Sequence, residues 1–161
     1  MRRFVIPTLG LAALALFAAL ALTLWPLRPG VLALQFAATP RAFGAVVHAW
    51  GPEGLARYRA HLPWDFVLLA SYAAFGWLLA RRTSTFTPLP PPLRTWAAAA
   101  LPLAALCDAA ENLLHGWLTA APRFGLGWLY ALSATTAAAK WLCMLGFAAV
   151  LCAALLRRSA R

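Results

Sequence analysis

Charge is what this chain has least of. Only 11% of its 161 residues are charged, and just four of those are acidic. A soluble globular domain carries about 25% charged residues, so an ordinary water-soluble enzyme is excluded, and so is a disordered chain. The three cysteines are isolated, with no CxxC pair, so a disulfide-relay machine and a thiolate metal site are not expected. The three histidines form no HExxH or ExxH pattern, and no metal or other cofactor is expected. The net charge of +10 does not mark a nucleic-acid binder, because the arginines bracket apolar runs instead of covering one face.

What is present is apolar surface: 63% hydrophobic residues and a mean hydropathy of +0.74. That length and composition fit about four membrane crossings and little else. The expected fold is all-α, a single integral membrane four-helix bundle. Its spans are read at about 4–25, 64–80, 95–118 and 126–156, with residues 26–63 as a long outer loop.

The first run resembles a signal peptide at Ala19-Leu20-Ala21. It is longer than a usual signal core, however, and Trp25-Pro26 reads as an interfacial end, so a retained helix is expected. The second run stops at Arg81-Arg82 and the fourth at Arg157-Arg158. Eight arginines fall at the termini and in the 81–94 loop, against five on the other side. The positive-inside rule then places both termini in the cytoplasm of a bacterial inner membrane. Thr83 to Leu93, with its cluster of prolines, reads as a short polyproline connector.

In the outer loop, Thr39-Pro40 has the form of a helix start, with Phe43, Val46, Val47 and Trp50 as an apolar stripe ended by Gly51-Pro52. Glu53 to Leu62 reads as a second short helix. Both are expected at the interface, either roofing a cavity or lying on lipid headgroups. His48 and His61 are within reach of the outer mouth, although loop histidines are usually solvated. The cysteines, all within spans, are expected to be small buried residues.

The ionisable residues inside the apolar runs carry the functional signal. Asp108, Glu111, Asn112 and His115 stand at i, i+3, i+4 and i+7, on one face of the third span. Ser133, Thr136 and Lys140 share a face of the fourth, and Asp65 and Tyr72 share a face of the second. Three matched stripes in an otherwise apolar surface should face one another. By helical rise, Asp65 and His115 are shallow, Tyr72, Glu111, Asn112 and Thr136 lie roughly 12 Å down, and Asp108 and Lys140 reach the midplane. An Asp108–Lys140 ion pair is therefore expected at the base of a polar funnel that opens outward. Three carboxylates against one lysine leave excess negative charge, which must be met by a proton on a carboxyl or by a bound cation.

The segments Trp50-Gly51-Pro52-Glu53-Gly54 with Tyr58, Asp65 with Tyr72, Asp108-x-x-Glu111-Asn112 and Thr136-x-x-x-Lys140-Trp141 resemble an uncharacterised family of small four-helix bacterial membrane proteins. The likeness covers about Ala49 to Trp141. It departs at Phe66-Val67-Leu68, where that family has Phe-Pro after the aspartate. It supports the topology and implies no activity. A looser likeness, at the level of fold alone, is to sterol-isomerase-like proteins that hold carboxylates in a membrane cavity.

The leading expectation is a site that binds or processes an amphipathic, lipid-like molecule. Asp108, Glu111 and Lys140 would form its reactive core, and Asp65, Tyr72, Asn112, His115 and Thr136 would contact the ligand. Two alternatives stand beside it: a structural or accessory subunit whose polar stripes set helix packing, and a proton or cation carrier. The expected partners are the lipid bilayer and a lipid-like ligand, with a second copy or another membrane protein also admitted.

Overall fold

The computed structural model describes residues 4–121 and 123–159. Arg2, Arg3 and Arg161, which enter the charge count above, lie outside them. The described chain is all helical: α1 (Val5–Leu24), α2 (Val31–Gln35), α3 (Pro40–Arg82), α4 (Pro91–Leu118) and α5 (Gly127–Ser159), with a single 3-10 turn (Phe124–Leu126) leading into α5. By length and composition, α1, α3, α4 and α5 with its leading turn can each cross a membrane, which marks a multi-pass membrane protein.

α3 begins where the sequence indicated. Thr39 accepts a hydrogen bond from the amide of Ala42 at 3.2 Å, and Pro40 opens the helix. The chain breaks at Gly51 (φ 64°, ψ −175°), a conformation essentially confined to glycine. Helix resumes at once with Pro52 and runs through Pro63 to Arg82. Glu53 to Leu62 is therefore not a separate short helix but continuous with the helix that carries the second apolar run. The boundary expected at Leu62 falls beside Pro63, and proline normally interrupts a helix. Here Pro63 is accommodated, and only Gly51 leaves helical geometry.

The long helices run up and down. Gly10 on α1 meets Phe75 on α3, Gly76 on α3 meets Leu101 on α4, and Gly146 on α5 meets Trp96 on α4. A Cβ on Gly76 would lie 2.7 Å from Leu101 Cδ1, so this glycine sets how closely α3 and α4 approach. α4 is the spine. Its fully buried Ala97, Ala100 and Ala104 let α3 and α5 pack on either side of it. α1 packs chiefly on α3 and forms no comparable interface with α5, so the bundle is open along that side.

The 83–90 connector is not a polyproline strap. It is a compact turn that buries Phe86 and Leu89, with Phe86 against Phe147 of α5. Cys107 and Cys143 are half-buried and Cys152 is exposed, so the thiols are not the small core residues expected. A face turned to lipid is apolar enough to hold them. At the opposite end α2, which the sequence reading did not resolve as a helix, buries Leu34 completely.

Candidate functional site

Three polar rungs join α3 to α4. Tyr58 Oη and His115 Nδ1 are 2.6 Å apart, Asn112 Nδ2 donates to Asp65 Oδ2 at 2.6 Å, and Tyr72 Oη donates to Asp108 Oδ2 at 3.0 Å. The α3 members are seven residues apart, two helical turns, whereas their α4 partners are three or four apart, one turn, so the rungs converge on α4 and the long Tyr58 and Tyr72 side chains span the difference.

α5 contributes Lys140. Its Nζ lies 3.0 Å from Asp108 Oδ1 and 2.7 Å from Glu111 Oε2, so the expected Asp108–Lys140 pair is present and extended by a second carboxylate. All three side chains are buried. Glu111 Oε1 also lies 3.9 Å from His115 Nδ1. The polar groups thus run from Tyr58 through His115, Glu111, Lys140 and Asp108 to Tyr72, the 3.9 Å approach of His115 to Glu111 being the one step too long for a hydrogen bond. Buried charges are tolerated only when paired and hydrogen-bonded, and this network meets most of that demand internally. Four buried polar atoms among the described residues have no hydrogen-bond partner: Glu111 Oε2, which meets Lys140 only as an ion pair, His115 Nε2, Ser133 Oγ and, away from the network, Arg123 Nε.

Of the stripe on α5, only Lys140 joins the network. Thr136 is half-buried and donates its hydroxyl to the Ser133 carbonyl on its own helix. Among the described residues no three His, Cys, Asp or Glu side chains are grouped so as to hold a metal ion.

Beside the network lies a cavity of about 730 Å³. α1 forms one wall along most of its length, from Gly10 to Leu24, and Lys140, Trp141 and Met144 of α5 form the other. The segment 25–35 lines one end, where Trp141 Nε1 donates to Gln35 Oε1 at 3.1 Å and ties α5 to α2. Phe75 and Leu101 line the opposite end. The back wall is polar: Asp65, Tyr72, Asp108 and Asn112 reach the cavity surface, whereas Glu111, His115 and Thr136 do not. Glu111 therefore stands behind Lys140 and holds it in place.

No family model, no curated protein and no solved structure matches this chain. The chemistry has to be read from the side chains themselves.

The cavity also reaches two residues of α3 outside the polar stripe read from the sequence. Tyr58 and His61 are both buried, and His61 Nδ1 is hydrogen-bonded to the Tyr58 carbonyl. Both fall in the segment 53–62, expected at the interface, where a histidine is normally solvated. The signal was nonetheless present. Tyr58, His61, Asp65, Leu68 and Tyr72 follow one another at spacings of three and four, the mark of one continuous helical face. Reading the helix through Pro63 would have recovered both.

Proposed function

We propose that this is a polytopic membrane protein whose polar site binds, or chemically processes, an amphipathic lipid-like molecule. The observation that carries the reading is the cavity between α1 and α5. Its volume of about 730 Å³ lies within the range of small-molecule sites, and its walls are apolar apart from one polar face. The open side between α1 and α5 faces where lipid would be, so a ligand reaches the site laterally, beneath the segment 25–35, and not through the outward-opening funnel expected from helical depth, whose outer end that segment lines. The reactive groups at the surface are Asp108 and Lys140, with Tyr72 and Asn112 orienting the ligand. Glu111 and His115 are positioning residues, acting through Lys140 and Tyr58 respectively. The arginine distribution supports a bacterial inner membrane with both termini in the cytoplasm. The likeness to small four-helix bacterial membrane proteins belongs to the same reading.

Native mass spectrometry of the protein released from lipid nanodiscs tests this. The wild type is expected to retain an amphiphile, and Ala21→Trp to lose it. Ala21 is an exposed α1 residue on the cavity wall, so the larger ring fills the space without touching the core. A bare protein that captures no added lipid and is indifferent to Ala21→Trp would sink the reading.

A second reading has its own observation. Glu111 and His115 are almost fully buried and lie outside the cavity surface, as residues that simply fix helix packing would. That accessory-subunit reading gains if the bare protein is found. The cation-carrier reading is weaker, because beyond Tyr72 and Asp108 the cavity ends in Phe75, Leu101 and Met144, with no polar continuation.

A further inference from the structure

The two aspartates on the cavity wall are not equivalent. Asp108 is answered from within the protein by Lys140 at 3.0 Å and by the Tyr72 hydroxyl. Asp65 receives one hydrogen bond, from the neutral amide of Asn112. Among the described residues no lysine, arginine or histidine nitrogen lies within 4 Å of it. A carboxylate lining an apolar cavity is costly unless a positive charge or several donors meet it.

The lysine on the same back wall is already paired. Lys140 is held between two carboxylates. Arg28, at the end lined by the segment 25–35, donates to the carbonyls of Trp25 and Leu27 and stacks over the Trp25 ring. Those contacts are with neutral groups and leave the Arg28 charge in place, but at the 25–35 end of the cavity; on the back wall an anionic headgroup meets only the paired Lys140, whereas a cationic one finds Asp65. Leu14, Phe17 and Leu20 of α1 provide an apolar run for a tail.

We propose that the cavity takes an amphiphile with a cationic amine headgroup, the ammonium seated on Asp65 and the hydrocarbon lying along α1. This rests on the ligand-cavity reading above and narrows it to one charge class. The amine binds by ion pairing and hydrogen bonding to the Asp65 carboxylate, and no covalent step is involved.

The test uses three probes with one chain, oleylamine, oleic acid and oleyl alcohol, added to the full chain in phosphatidylcholine nanodiscs and scored by native mass spectrometry. Oleylamine is expected to bind about tenfold or more tightly than either of the others, to lose that advantage in Asp65→Asn and to keep it in Asp65→Glu. Equal or tighter binding of the acid or the alcohol to the wild type overturns the proposal, as does an Asp65→Asn protein that holds the amine unchanged. Should Asp65→Asn fail to fold, the ranking of the three probes on the wild type decides alone. The two readings fail differently. Three probes bound equally and all displaced by Ala21→Trp would leave an amphiphile cavity without amine preference. No binding of any probe would remove the cavity reading as well.

Discussion

α1 and α4 invert the rule familiar from soluble proteins. α1 is the most apolar of the long helices, with a hydropathy of 2.4 over its best window, yet only 11% of that window is buried. α4 is the least apolar, at 1.3, and 50% of that stretch is buried. In water the most apolar helix would sit at the centre. In lipid there is no hydrophobic penalty for an exposed leucine, so the helix that must be enclosed is the one carrying polar groups. Leu11, Leu14 and Phe17 can face hydrocarbon, whereas Asp108, Glu111, Asn112 and His115 cannot. α4 is accordingly the structural spine and α1 the wall of a cavity.

The contrast can be broken most severely at the charges of the spine. Lys140→Met strands Asp108 and Glu111 and should destabilise the fold by about 3–5 kcal/mol, read by denaturation in mixed micelles. The triple replacement Lys140→Met, Asp108→Leu and Glu111→Gln should recover most of that loss, because the cost lies in the uncompensated charge. If the triple variant is as unstable as the single one, the network supports the fold in some further way.

Close packing gives a smaller effect. A valine at Gly76 would drive its side chain into Leu101, and Gly76→Val should cost about 1–3 kcal/mol. Gly10→Ala meets Phe75 just as closely, at 2.8 Å, but on the peripheral helix. It should displace α1 and change the accessibility of cavity residues to a thiol probe at Met144→Cys, while the melting temperature of the remaining bundle hardly moves. Equal losses at both glycines would show that α1 is as integral as α4.

Tyr58→Phe removes the hydroxyl that meets His115 inside the core and should cost about 1–2 kcal/mol. Leu113→Ala, on the exposed face of the spine itself, should change stability by less than about 0.5 kcal/mol, since no packed neighbour is lost. A large loss there would mean that the exposed face of α4 is covered by another protein chain.

The extent to which the site was legible follows from its geometry. The stripe on α4 was fully visible, because four polar residues at helical spacing in an apolar run have one economical explanation. The Asp108–Lys140 pair followed from that stripe and the short turn joining α4 to α5. Tyr58 and His61 were not seen, because Pro63 hid the continuity of α3. Thr136 was placed in the site by its spacing, yet a threonine can return its hydroxyl to its own helix backbone, and here it does.

By itself the sequence determined the number of long helices, their up-and-down order and which face of each is polar. Those follow from helical periodicity and from the cost of placing charge in hydrocarbon, both local properties. Only the tertiary structure decided that α1 leaves α5 unpartnered, that a cavity fills the gap, and that Glu111 stands behind Lys140 while Asp65 faces the open space. Such features depend on how far apart the helix axes lie and how each helix is rotated. That is set by glycine and alanine contacts between segments distant in the chain, to which periodicity within a single helix is blind.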